Sequence, residues 1–147
     1  MNVWRWAVLL WIGVIFFSST SLAGEWAEGG FDFFSDFFPS VDRSSPSYGV
    51  AHLAADKGLH ITLFCVLALL LWMALAPSPR KRLLILAIGA VVGICSELLQ
   101  IFFPDRDPAI RDVMINISGT AIGLLLAQAI SRIRKRTGRQ EYAASRN

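Results

Sequence analysis

Four apolar runs, at residues 6–23, 58–76, 83–103 and 112–130, leave this chain few folds to choose from. Each is about as long as the roughly 17–25 residues a helix needs to cross the hydrocarbon core of a bilayer. None alternates apolar and polar residues over a strand length, which argues against a membrane β-barrel. Inside hydrocarbon every backbone N–H and C=O must find its partner within the segment, so runs of this length become helices. The expected fold is all-α, an integral membrane bundle of four transmembrane helices forming one domain over residues 1–147. A hydrophobic content of 54% and a mean hydropathy of +0.52 place the chain outside the range of small soluble domains.

The first run admits a second reading. Met1 to Arg5 is a short basic start, Ala7 to Phe17 an apolar core, and Ser21-Leu22-Ala23 resembles a small-x-small cleavage site. Those are the parts of a signal peptide. Cleavage there would leave the topology of the other three spans unchanged.

Basic residues are unevenly placed. Arg5 precedes the first run, Arg80, Lys81 and Arg82 join the second to the third, and Arg132, Arg134, Lys135, Arg136, Arg139 and Arg146 follow the fourth. The other two connections hold Arg43, Lys57, Arg106 and Arg111 among many acids: Glu25, Glu28, Asp32, Asp36, Asp42, Asp105 and Asp107. The positive-inside rule then predicts that both termini and the 80–82 loop are cytoplasmic. The basic tail, 131–147, lacks the aromatic interleaving of a nucleic-acid surface, so its expected partners are anionic lipid headgroups rather than nucleic acid. In the long outer loop, Phe31, Phe33, Phe34, Phe37 and Phe38 read as interfacial anchors, or as a lid over a lipid-facing site. Cys65 and Cys95 form no CxxC and no metal spacing, and read as packing residues.

Polar groups recur at one end of the last three runs. Lys57 and His60 are three residues apart, as are Glu97 and Gln100, while Asp112 and Asn116 are four apart with Gly119 and Gly123 on the same stripe. A carboxylate such as Glu97 within a span costs roughly 2.5–3.5 kcal/mol on insertion scales, so it calls for polar company. Counting back from Phe103 puts it roughly 9 Å below the outer surface at about 1.5 Å per residue. The glycines, with Gly89 and Gly93 on the third run, allow close backbone approach beneath the cluster. Taken singly, each polar residue has a structural reading: an interfacial histidine, a snorkelling lysine, a helix-capping aspartate, interhelical amide bonds, a carboxylate in a structural ion pair. Their convergence at one depth favours a shared site.

The same residues carry a family resemblance. Lys57-Gly58-Leu59-His60, Glu97-Leu98-Leu99-Gln100, Arg106, and Asp112 to Gly119 with Asn116 between resemble the KxxH, ExxQ, loop-arginine and DxxxNxxG pattern of the VanZ-like family. The resemblance covers about residues 56–130. It implies a small multi-pass protein of the bacterial cytoplasmic membrane, from a family named for teicoplanin resistance. It also marks Lys57, His60, Glu97, Gln100, Arg106, Asp112 and Asn116 as the characteristic polar set, without assigning roles. Ser96 departs from the acidic residue that precedes the glutamate in many members, which puts in doubt any mechanism needing two adjacent carboxylates.

Two functions follow as expectations. In the first, Lys57, Arg106, Gln100 and Asn116 hold an anionic lipid-linked or cell-wall-related molecule, and Glu97, His60 and Asp112 supply acid–base chemistry. In the second, the same set is a recognition site for a lipid, ligand or partner protein, without turnover. A metal site from His60, Glu97 and Asp112 is a weaker third reading, since no tight ligand motif is present. No cofactor is expected. A transporter would require oligomerisation, because four short helices without an internal repeat do not build an alternating-access core.

Overall fold

The computed structural model describes residues 3–35, 45–103 and 108–144. Those residues form five helices and no strand: α1 (Val3–Ser18), α2 (Ser21–Ser35), α3 (Pro46–Ala74), α4 (Lys81–Gln100) and α5 (Ile110–Ala144). Three of them, α3, α4 and α5, are long and apolar enough to cross a membrane; α1 is a shorter apolar helix of 16 residues. At about 1.5 Å per residue α1 is roughly 24 Å long, short of the roughly 30 Å of hydrocarbon.

The expected helix 6–23 stops early because three hydroxyl residues in a row bind helix carbonyls. Ser18 and Ser19 both donate to the Ile15 carbonyl, at 2.7 and 3.1 Å, and Thr20 donates to Phe17 O at 2.7 Å. Such local bonds compete with the helical ladder. The chain then restarts as α2, where a loop 24–55 was expected. Trp26 on α2 meets Phe17 on α1 edge to face, with ring centroids 5.8 Å apart. The first five residues of the FDFFSDFF segment therefore lie in helix α2, and Asp36, Phe37 and Phe38 fall outside the described residues.

α3 begins at Pro46, twelve residues before its apolar run. Ser45 caps it, accepting from Tyr48 N at 3.3 Å, and Pro46 occupies the first turn, where its missing N–H costs nothing. Likewise α5 runs to Ala144 rather than ending at 130, because the basic segment is made of good helix formers. Exposed Arg132, Arg134, Lys135 and Arg136 thus extend the helix beyond its apolar part. An apolar-window reading finds only the lipid-facing portion of a helix and misses polar continuations.

α3 and α5 run parallel and make the most extensive contact, α4 lies antiparallel to both, and α1 packs on α3. Glycines set the α3–α5 approach. A Cβ at Gly119 would lie 2.6 Å from Ile61 O, and one at Gly123 would collide with Cys65 O and sit 2.9 Å from the Ala68 methyl. α4 comes as close to α5: Gly89 faces the Thr120 side chain, and Gly93 faces Asn116. Phe64, Leu67, Ala68, Ile85 and Ile15 fill the space between the helices. Trp11 ties α1 in by donating its indole N–H to Leu63 O at 2.9 Å. Cys65 is half-buried and Cys95 is exposed on the outward face of α4, so Cys95 is not the packing residue expected.

Candidate functional site: a polar cluster at one end of the bundle

The N-terminal turn of α5, the C-terminal turn of α4 and the middle of α3 meet at one end. Glu97, Gln100, Asp112 and Asn116 are all buried there, and Lys57 and His60 are half-buried. Because α4 ends at Gln100, Glu97 sits only about one turn, roughly 4.5 Å, from its helix end, shallower than counting from Phe103 suggests. Lys57, in contrast, lies well inside α3.

Two linked sets of contacts hold the cluster. In one, Lys57 Nζ donates to Asp112 Oδ2 at 2.8 Å and pairs with Asp56 Oδ2 at 2.9 Å. In the other, Glu97 collects donors from α5. The Ala109 backbone N–H reaches Oε2 at 3.2 Å, and the Asn116 amide reaches Oε1 at 3.5 Å. Glu97 therefore lies against the N-terminus of α5, where unpaired amides and the helix dipole favour an acid. Asn116 passes the chain of bonds to α3, its Oδ1 lying 3.1 Å from His60 Nδ1. Asn116 is itself fully buried, and its backbone carbonyl accepts from Thr120 Oγ1 at 3.0 Å.

The order of donors fixes the histidine. Asn116 turns its NH2 to a carboxylate oxygen, so its carbonyl oxygen faces His60 and can only accept. His60 Nδ1 must then carry the hydrogen, which presents Nε2 as the free ring nitrogen when the imidazole is neutral. A carboxylate, an amide and a histidine in series orient one nitrogen for proton transfer or ligand binding.

Of the seven residues expected from sequence, the structure joins Lys57 to Asp112 and His60 to Asn116 to Glu97, and buries Gln100 at the same helix end. Arg106 lies outside the described residues. Among the described residues no group of three or more His, Cys, Asp or Glu could hold a metal ion, so His60, Glu97 and Asp112 do not form the metal site considered from sequence. Two contributors were not foreseen. The Ala109 N–H is a backbone group with no sequence signal. Ser19 and Ser96, both buried, share a hydrogen bond of 2.7 Å that seats the end of α1 beside Glu97. Ser96 thus has a packing role in this chain.

Three apolar helices long enough to span a bilayer, with a buried polar cluster at one end, mark a small helical membrane protein. The chain belongs to the VanZ/LLP1 family, whose model matches residues 4–131 and so takes in α1 and α2 as well as the motif-bearing helices. No curated protein and no solved structure matches it.

Proposed function

We propose that this VanZ-family protein sits in the bacterial cytoplasmic membrane with both termini inside, and that its polar cluster opens to the outer leaflet to bind a phosphate-bearing, lipid-linked molecule of the envelope. The unequal placement of Lys and Arg supports that orientation. In the bundle, α1 starts and α5 ends at the end opposite the cluster, as such a topology requires. The observation that carries the reading is Lys57: its ammonium has three donors, and the two carboxylates occupy two of them. The third is available to a phosphate oxygen. Gln100, buried at the end of α4, lies at the same end of the bundle. Where turnover occurs, His60 Nε2 is the acid–base group, positioned by Asn116 and Glu97, and Asp112 holds Lys57.

A second reading, recognition without turnover, is favoured by one fact: Glu97 and Lys57 are already engaged by protein partners, as in a preorganised binding site. Native mass spectrometry of full-length protein taken gently from bacterial membranes tests binding. Wild type should retain phosphate-bearing lipid, and Lys57→Met should lower that retention by about tenfold, the worth of one charge-assisted hydrogen bond. Equal retention by both proteins would refute the site. Phosphate release from lipid-linked phosphates that disappears in Glu97→Gln would select the enzyme over the binder. Altered teicoplanin susceptibility on expression is the corresponding family-level expectation.

A further inference from the structure

α2 has little of the bundle to lean on. Among the described residues it touches mainly α1, where Trp26 meets Phe17. Beyond that meeting the space is open: a Cβ built on Gly29 or Gly30 would meet nothing within 4 Å. Gly24, Gly29 and Gly30 also make the segment a poor helix former. Isolated helices of about 12–15 residues are marginal in water even when rich in alanine, and amphipathic ones are held by what their apolar face packs against. α2 has 15 residues, so its apolar face calls for a surface that the bundle does not supply.

That face is well defined. Leu22, Trp26 and Phe33 share one side of α2, with Gly29 between them at helical spacing. The three large side chains are 48, 66 and 66% exposed. Glu25, also exposed, precedes Trp26 and so lies on the neighbouring side. In sequence Glu25, Glu28 and Asp32 are spaced three and four apart, an acidic row beside the apolar one.

Position says what the apolar side meets. Ser19, just past α1, is bonded to Ser96 of α4, so α2 starts at the polar end of the bundle. It then turns aside. Along a continuing α1 axis Trp26 would stand roughly 13 Å beyond Phe17, at about 1.5 Å per residue. Their ring centroids are 5.8 Å apart instead. Phe17 is 43% exposed in the last turn of an apolar helix, so the surface that Trp26 joins is a lipid-facing one. Since α1 is shorter than the hydrocarbon is thick, the start of α2 stays at the hydrocarbon boundary, where tryptophan is enriched.

We propose that α2 lies in the plane of the membrane at the polar-cluster end, with the Leu22, Trp26 and Phe33 side sunk into lipid at the headgroup–acyl boundary and the acidic row toward water. The partner is the lipid surface, not one particular lipid, and the assignment does not depend on what the polar cluster binds. Through the Ser19–Ser96 bond, α2 sets the level of that surface beside Glu97.

The test uses full-length protein carrying Cys65→Ala and Cys95→Ala, reconstituted in vesicles of phosphatidylethanolamine and phosphatidylglycerol. Leu22→Cys, Glu25→Cys, Trp26→Cys and Phe33→Cys are introduced singly and labelled with a nitroxide. Oxygen concentrates in lipid, so it should relax the labels at 22, 26 and 33 severalfold more than a water-soluble nickel chelate does. The order should reverse at 25. Nickel access at all four positions would put α2 in water, and access to neither reagent would mean that a protein surface covers it; either result overturns the proposal. Should the labelled variants misfold, the unlabelled protein decides. Lipids brominated near the headgroup should quench a share of the tryptophan emission that Trp26→Phe no longer shows, and equal quenching of the two proteins would remove α2 from the membrane. Lipid retention through Lys57 is a separate measurement, so either reading can fail alone.

Discussion

The two ends of the bundle each use a lysine to join helices, and they use it differently. At the far end, Lys81 at the start of α4 donates to the Trp72 and Leu75 carbonyls, both at 2.7 Å, and lies 4.5 Å from the centroid of the Trp72 ring. Trp72 in turn donates its indole N–H to Ser131 Oγ on α5 at 3.1 Å. The lysine satisfies the orphan carbonyls at the end of α3, where the helix dipole also favours a cation. That clasp is built largely from backbone acceptors. At the near end, Lys57 binds carboxylates rather than carbonyls, and the surrounding side chains hold valence in reserve: Asp112 Oδ1, one Lys57 proton, His60 Nε2. A closed set of contacts stabilises; an open set of this kind is what the proposed recognition requires. The difference separates the structural end of the molecule from the end proposed to be functional.

The largest effect should come from a change that removes the comparison altogether. Gly123→Leu drives a side chain into Cys65 O, forces α5 off α3 and should cost more than about 3 kcal/mol. Both ends should come apart together, seen as loss of folded protein in a detergent unfolding titration. Next is Lys57→Met, which leaves Asp112 buried without its cation and should destabilise by roughly 3 kcal/mol. Adding Asp112→Leu should restore most of that stability without restoring lipid retention; recovery of retention would mean the near end is structural too. At the far end, Lys81→Met should lower stability by about 1–2 kcal/mol through lost carbonyl and ring contacts. Its lipid retention should match wild type, and a loss there would erase the distinction drawn between the ends. The smallest effect is expected for Ser19→Ala, about 0.6 kcal/mol for one interhelical hydrogen bond in a membrane. Thermal unfolding followed by circular dichroism resolves it against wild type.

Much of the near end was legible in the residues themselves. Glu97 inside an apolar run demanded partners, and offsets of three and four placed Lys57 with His60, and Asp112 with Asn116, on single helical faces. Gly119 and Gly123 announced a close helix approach, and α3 does supply Ile61 and Cys65 at those positions. The far end was not legible. Lys81 reads as a topology-setting charge in a basic loop, and nothing in its neighbours shows that it closes the end of α3. Carbonyl acceptors carry no sequence signature. Helix limits were misjudged for a related reason: hydropathy windows detect burial in lipid, whereas Ser45-Pro46 and the basic end of α5 extend helices by capping and propensity.

By itself the sequence determined that this is a helical membrane protein of the VanZ kind, because apolar runs of bilayer length leave a backbone no alternative and the spaced polar pairs identify the family. It also determined which residues share a helix face. Only the tertiary structure decided who meets whom: that Glu97 faces the α5 N-terminus and Asn116 rather than Lys57, that Lys57 belongs to Asp112, and that one oxygen of Asp112 is left over. Helical periodicity fixes direction around an axis, but the offset between α3 and α5 is set by glycine contacts between chain segments more than fifty residues apart. Those contacts exist only once the bundle has formed.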